Sequence, residues 1–209
     1  MNPLVKKMKS LIYILSIILF GSCNSISETI EFQNGDIIFQ ESKSSQSKAI
    51  QLATNSRYSH VGIIYKKNNS YYVYEAIQPV SITPIQQWIN RGKDKHYVVK
   101  RLKDTSLLTV GNLKKMQYIG HQYKGKDYDL YFGWSNERIY CSELVYKIYR
   151  DALNIELGEL QTLSDFNLNQ PAVHQKLKER YGDNIPLKEP VISPAAIFES
   201  DLLKTIFEN

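Results

Sequence analysis

Apolar side chains along residues 141 to 152 recur at helical spacing. Cys141, Leu144, Val145, Ile148, Tyr149 and Ala152 lie on one stripe, which predicts an amphipathic helix opening at Cys141. Val110, Leu113, Met116 and Gly120 give a second helical pattern between Thr109 and Tyr123. Elsewhere the chain shifts to short runs of β-branched and aromatic residues, the composition of strands. Ile37 to Gln40, Ser59 to Tyr65, Tyr71 to Ile77 and His96 to Leu102 are such runs. Lys66-Lys67-Asn68-Asn69-Ser70 joins the middle two as a hairpin. Ser45 to Thr54 reads as a short helix with Ile50 and Ala53 or Leu52 inward. Thr83-Pro84 reads as a cap and first helical position, opening a helix through Trp88. A helical piece is expected around Ala172 to Arg180, and a last helix from Ser193-Pro194 through Ile197, Phe198 and Leu202. Asn34-Gly35-Asp36 is a turn, and Tyr123 to Ile139 is aromatic and loop-like. With no repeat and no internal linker, the pattern predicts one α+β domain over residues 32–209.

The first residues follow a different logic. Lys6, Lys7 and Lys9 precede an apolar run from Leu11 to Phe20, broken only by Ser16. This is the layout of a secretory signal, and the run is shorter than the roughly 20 residues that span a bilayer. Gly21-Ser22-Cys23 resembles the lipobox of bacterial lipoproteins, whose signal is cut before a Cys that becomes acylated. Phe20 is bulkier than that pattern prefers, and a plain secretory signal leaving Cys23 free is the competing reading. The expected division is a signal over 1–22, a tether over 23–31 and then the domain. The product would be an exported, lipid-anchored protein of the cell envelope.

That division changes the arithmetic of composition. The 209-residue chain is 43% hydrophobic and 22% charged, which excludes a mainly disordered protein. Its net charge of +5 suggests an anionic partner. Three of those charges are the signal lysines, so the mature chain carries about +2. No Gly-rich phosphate loop or clustered basic stripe supports nucleotide or nucleic-acid binding. If Cys23 carries lipid, Cys141 is the one remaining thiol and has no disulfide partner.

Cys141 stands at a predicted helix start, where unpaired amides and the helix dipole favour a thiolate. A buried structural Cys is the alternative. Of the four histidines, His96, His121 and His174 occupy polar surroundings, whereas His60 lies inside an apolar strand. If Asn68-Asn69 is the hairpin turn, Gly62 faces Glu75 and His60 is its diagonal neighbour. A turn one residue earlier places His60 directly opposite Glu75. Either register puts both on one face, and Glu75 is the only acid in its strand. A base and its orienting carboxylate on adjacent strands, beside a Cys on a packed helix, is the arrangement of a thiol hydrolase. A zinc site using Cys141, His60 and Glu143 lacks any close-spaced ligand pair. No metal or other cofactor is expected.

Gly35-Asp36-Ile-Ile-Phe, Ser59-His60-Val-Gly-Ile, Tyr74-Glu75-Ala, Tyr128-Asp129 and Tyr140-Cys141-Ser-Glu-Leu occur in that order over about residues 33 to 150. Together they resemble the circularly permuted papain-like branch of the NlpC/P60 superfamily, closest to its YiiX/YaeF-type family. The resemblance implies an antiparallel sheet packed against the nucleophile helix. It implies Cys141 as nucleophile, His60 as general base and acid, and Glu75 as the group orienting His60. Cleavage or transfer at an amide or ester carbonyl, through an acyl-thioester, is the implied chemistry. Tyr128, Tyr140 and Ser142 are family-like positions that could line the cleft and contact substrate; Asp36 is expected to cap its turn or close the Gly35 bend, with a substrate-pocket role as the lesser reading. Glu143 is expected in a solvated or helix-start role. The substrate would be a small peptide, including one derived from peptidoglycan, or another amide of the envelope. A lipid acyltransferase or hydrolase, or a binding lipoprotein without turnover, are the other readings.

Overall fold

The computed structural model describes residues 31–209; the predicted signal, Cys23 and nearly all of the tether lie outside them. Six strands form one antiparallel sheet in the order β4-β3-β2-β1-β5-β8. These are β1 (Ile37–Ser42), β2 (His60–Lys67), β3 (Ser70–Glu75), β4 (Ser81–Pro84), β5 (Gly92–Leu102) and β8 (Leu203–Glu208). A two-stranded ladder, β6 (Gln161–Thr162) with β7 (Pro190–Val191), lies apart. The helices are α1 (Ser45–Thr54), α2 (Ile85–Arg91), α3 (Val110–Tyr123), α4 (Cys141–Leu153), α5 (Pro171–Tyr181) and α6 (Pro194–Phe198). Among the described residues no helix is long and apolar enough to cross a membrane.

Alternation along the strands divides the apolar residues between two faces. Ile37, Phe39, Val61, Ile63 and Tyr74 pack with Met116 of α3 and Leu144, Val145 and Ile148 of α4. Ile38, Ile64, Val73 and Val99 form a smaller cluster with Trp88 and Ile89 of α2 on the other face. The Tyr149 hydroxyl donates to the carbonyl of Gly35, which ties α4 to the turn that feeds β1. Gly35 has φ +88°, a conformation that favours glycine.

The hairpin resolves the register. Lys67 pairs with Ser70 and Ile63 with Tyr74, so Asn68-Asn69 is the turn, with φ of 49° and 61° at its two residues. Positive φ at both central residues suits the right-handed twist of the flanking strands, and Asn tolerates it. His60 and Glu75 are therefore diagonal neighbours on the α2 face.

Two expectations about elements are corrected. Thr83 does not cap a helix: it pairs with Val73 inside β4, and α2 starts after Pro84. The last helix ends at Phe198, and Leu202 precedes an edge strand, β8, that pairs with β5. In α1, Ser47 and Ala49 are buried, Leu52 and Ala53 pack against the core as expected, and Ile50 and Ala53 line a pocket beside Cys141.

Candidate active site

His60 is the first residue of β2 and Cys141 the first of α4. The two elements pack together, so their starting ends bring imidazole and thiol together at one end of the sheet. His60 Nε2 lies 2.6 Å from Glu75 Oε2. That leaves Nδ1 for the thiol of Cys141, with which the ring hydrogen-bonds. Trp88 stacks on the imidazole with ring centroids 5.8 Å apart, fixing its plane.

Glu75 is fully buried and its carboxylate is satisfied on both oxygens. Besides His60, the Thr83 hydroxyl donates to Oε1 at 2.5 Å, and the Arg91 guanidinium donates to the same oxygen. Burial opposes its charge, but the bonds from His60 and Thr83 and the nearby Arg91 hold Glu75 below the usual carboxylate range. Gly62 permits this approach of strands. A β-carbon there would press on the Val73 side chain and lie 2.9 Å from the Tyr74 carbonyl oxygen.

Burial also works against charge on both members of the reactive pair. At His60 the hydrogen bonds to Cys141 and Glu75 overcome it and raise the pKa to about 9. At Cys141 burial pushes the thiol up. Hydrogen bonds from His60, the Val61 backbone N–H and the Tyr128 hydroxyl bring it below its ordinary value. The helix N-terminus adds its partial positive charge. Both shifts run toward a thiolate–imidazolium pair, a nucleophile beside the acid its leaving group needs.

Tyr128 is held by a directional chain. Arg180 donates to Gln46 Oε1 at 3.1 Å, and Gln46 Nε2 donates to the Tyr128 oxygen at 3.2 Å. Since that oxygen accepts from Gln46, its own proton is directed to the sulfur, whose proximity raises the Tyr128 pKa further after burial.

The other family-like positions serve the framework. Asp36 faces away from the cleft as a buried anchor: Arg101 grips its carboxylate at 2.6 and 2.8 Å, and it accepts from the Gln33 backbone N–H at 2.7 Å. Asp36 thus closes its turn, as its place beside Gly35 suggested, and its fully buried carboxylate does not reach the cleft, which corrects the alternative of a substrate contact. Tyr140 accepts from the Ile192 N–H at 3.1 Å, and Ser142 donates to the Ile192 carbonyl at 2.8 Å, so both hold the 190s segment onto α4. Their remaining surfaces still border the cleft beside Cys141. Glu143 is not solvated. It is fully buried, accepts from the Tyr140 N–H at the helix start, and pairs with Lys147 at 2.6 Å. Burial lifts its pKa to about 7 despite that lysine.

His121 and His174 are exposed, and His96 bonds the Asn209 carbonyl at 2.5 Å, away from the site. Thr83, Arg91, Trp88 and Gln46 are site residues that sequence reasoning did not find. No local pattern marks any of them as part of the site.

The chain matches the family described as permuted papain-like amidase enzyme, YaeF/YiiX, C92 family, over residues 31–207. It is 51% identical over 174 residues to the protein YiiX of Escherichia coli K12, covering 83% of this chain and 85% of that one. A crystal structure titled as the metalloprotein yiiX from Escherichia coli O157:H7 superposes with a TM-score of 0.81. It shares 50% identity and covers 85% of this chain and 97% of the other.

Proposed function

Since this chain belongs to the YaeF/YiiX family of permuted papain-like amidases, we propose that it is a cell-envelope cysteine hydrolase cleaving an amide through an acyl-thioester on Cys141. The observation that carries the proposal is the Cys141–His60–Glu75 line, with the imidazole held between carboxylate and thiol.

The thiolate attacks the carbonyl carbon, and the developing oxyanion needs donors beside the sulfur. The Cys141 backbone N–H at the helix start and the Tyr128 hydroxyl would supply them. As the tetrahedral adduct collapses, the C–N bond breaks and His60 gives its proton to the departing amine. Water then attacks the thioester with His60 as base, releasing the acid and restoring the thiolate. Glu75 holds the ring and stabilises its charge in both half-reactions.

Short peptides, including those of peptidoglycan, fit this chemistry as substrates. The E. coli O157:H7 relative is described as a metalloprotein. In this chain no three His, Cys, Asp or Glu side chains among the described residues converge as a metal-binding group, and His60 Nε2 is committed to Glu75. No step of the proposal is therefore assigned to a metal.

The test is incubation of purified protein with muropeptides, followed by mass spectrometry of the Cys141 peptide and of released amine. A transient acyl adduct on Cys141 and a new amine are expected, both lost in Cys141→Ala. Turnover that persists in Cys141→Ala overturns the proposal.

A further inference from the structure

One end of the sheet carries a surface that the chemistry at Cys141 does not use. α3 crosses the sheet at Tyr74, whose hydroxyl donates to the Gly120 carbonyl. Gly120 permits this close approach, since a β-carbon there would lie 3.0 Å from the Tyr74 ring. Towards the β2–β3 turn a groove of about 680 Å³ opens between helix and strands.

Strand register fixes the floor of the groove. Tyr65 pairs with Tyr72 and Ile82 with Tyr74, so these side chains share one face of the sheet. Ile82 is 51% exposed there, and Lys67 ends β2 on the same face. The helical wall is Gln117, His121 and Lys124, which continue a stripe begun by Val110 and Lys114. Val110 and Tyr118 are 72% and 68% exposed. Apolar and aromatic surface is thus set among cations.

The charge is one-sided. None of the described residues lining the groove is acidic, and α3 has no acidic residue along its length. Among the described residues, the ammonium groups of Lys67, Lys114 and Lys124 pair with no carboxylate. A local cationic excess is hidden in the small net charge of the chain.

Two features identify the occupant. Lysines flanking exposed tyrosine and aliphatic side chains suit the boundary between anionic lipid headgroups and water. The entry of the chain points the same way: Glu31, next to the tether, pairs with Lys66, the neighbour of Lys67. His60 begins β2 and Lys67 ends it, so about 23 Å of strand separates the cleft from this surface.

We propose that the groove and the outer stripe of α3 dock on an anionic phospholipid bilayer, with a lipid phosphate held between Lys67 and Lys124. This rests on the envelope location proposed above and not on the chemistry at Cys141. Docked, the domain turns its cleft away from the bilayer.

The experiment uses the full chain carrying Cys23→Ser, so that no acyl anchor contributes. It is mixed with vesicles of phosphatidylglycerol and phosphatidylcholine, or of phosphatidylcholine alone, and its lysines are acetylated and read by mass spectrometry. The anionic vesicles should protect Lys67 and Lys124, and added salt should reverse the protection. Lys48, exposed on α1 beside the cleft, should stay reactive. In co-sedimentation, Lys67→Gln with Lys124→Gln should lower the ratio of binding to anionic over phosphatidylcholine vesicles roughly 25-fold, about fivefold per lysine. Lys6, Lys7 and Lys9 are common to both proteins and cancel from that comparison. Equal protection by both vesicle types, protection of Lys48 instead, or an unchanged ratio overturns the docking surface. Equal protection by inorganic phosphate means a site for a free anion and overturns it too. The Cys141 adduct from muropeptides is followed in the same preparations. An adduct without lysine protection removes the docking surface and keeps the hydrolase reading; protection without an adduct does the reverse.

Discussion

At the scale of single residues, the pairing of Cys141 with His60 sets a pH window with a definite sign. The thiol titrates below its ordinary value, so the thiolate forms at lower pH than a free cysteine's; His60 keeps its proton up to about 9. We expect alkylation of Cys141 to be fast near neutrality and kcat/KM to fall on the alkaline side near pH 9, as the acid for the leaving amine is lost. Glu75→Gln removes the carboxylate that supports the imidazolium, which should move that alkaline limb down by about one to three pH units. An unmoved limb would show that Glu75 does not govern His60. Tyr128→Phe removes one of three donors to the sulfur. Alkylation should then require higher pH, and kcat/KM should fall on the order of a hundredfold, the usual effect of losing one oxyanion donor. Equal alkylation profiles for the two proteins would remove Tyr128 from the site. His60 and Glu75 were legible because alternation and one hairpin place them together. Gln46 and Arg180 were not, because their partners lie 82 and 134 residues away and no periodicity spans such distances.

At the scale of elements, the framework depends on a few buried polar ties. Asp36 holds the entry to β1 against Arg101 of β5, and its removal leaves a largely buried guanidinium without its partner. Breaking a buried pair from one side costs about 3–5 kcal/mol. Asp36→Ala should lower the urea midpoint accordingly while Cys141 remains alkylated normally at moderate temperature. A selective rise in KM at unchanged stability would restore a substrate role. The strongly periodic elements, α3 and α4, were readable from their apolar stripes. The edge strands were not. β4 is four residues long, of which only Thr83 is buried, and β8 buries only Leu203 of its six. A strand that offers so little apolar surface makes a weak alternation signal, and its pairing is decided by the neighbouring strand's free edge. Thr83 shows the consequence. A sequence that suits a helix cap instead completes a ladder, and the hydroxyl that would have capped now bonds the catalytic carboxylate.

At the scale of the whole molecule, the position of the chain's entry bears on where the enzyme would act. Glu31, the first described residue, pairs with Lys66 near the end of β2, whereas the site lies at His60, the other end of the same strand. Six residues of strand separate them by about 20 Å. An anchor on Cys23 would therefore attach at the end of the sheet opposite the cleft, through about seven residues with an extended reach of roughly 25 Å. Palmitate labelling in cells should mark the wild-type protein and not Cys23→Ser, which should appear in the soluble fraction with Cys141 reactivity intact. Labelling that persists in Cys23→Ser would remove the anchor from the proposal. The geometry adds a consequence for substrate access. With such an anchor, a fully extended tether would barely exceed the strand length it had to span, so the cleft would reach that membrane only with the tether nearly taut. Deleting four residues within 24–30 should then depress turnover of an amide embedded in the same vesicle, while a soluble amide is cleaved at the wild-type rate. Equal loss on both substrates would instead mean that the deletion disturbs the entry to β1, and the Lys66–Glu31 pair would be the place to look.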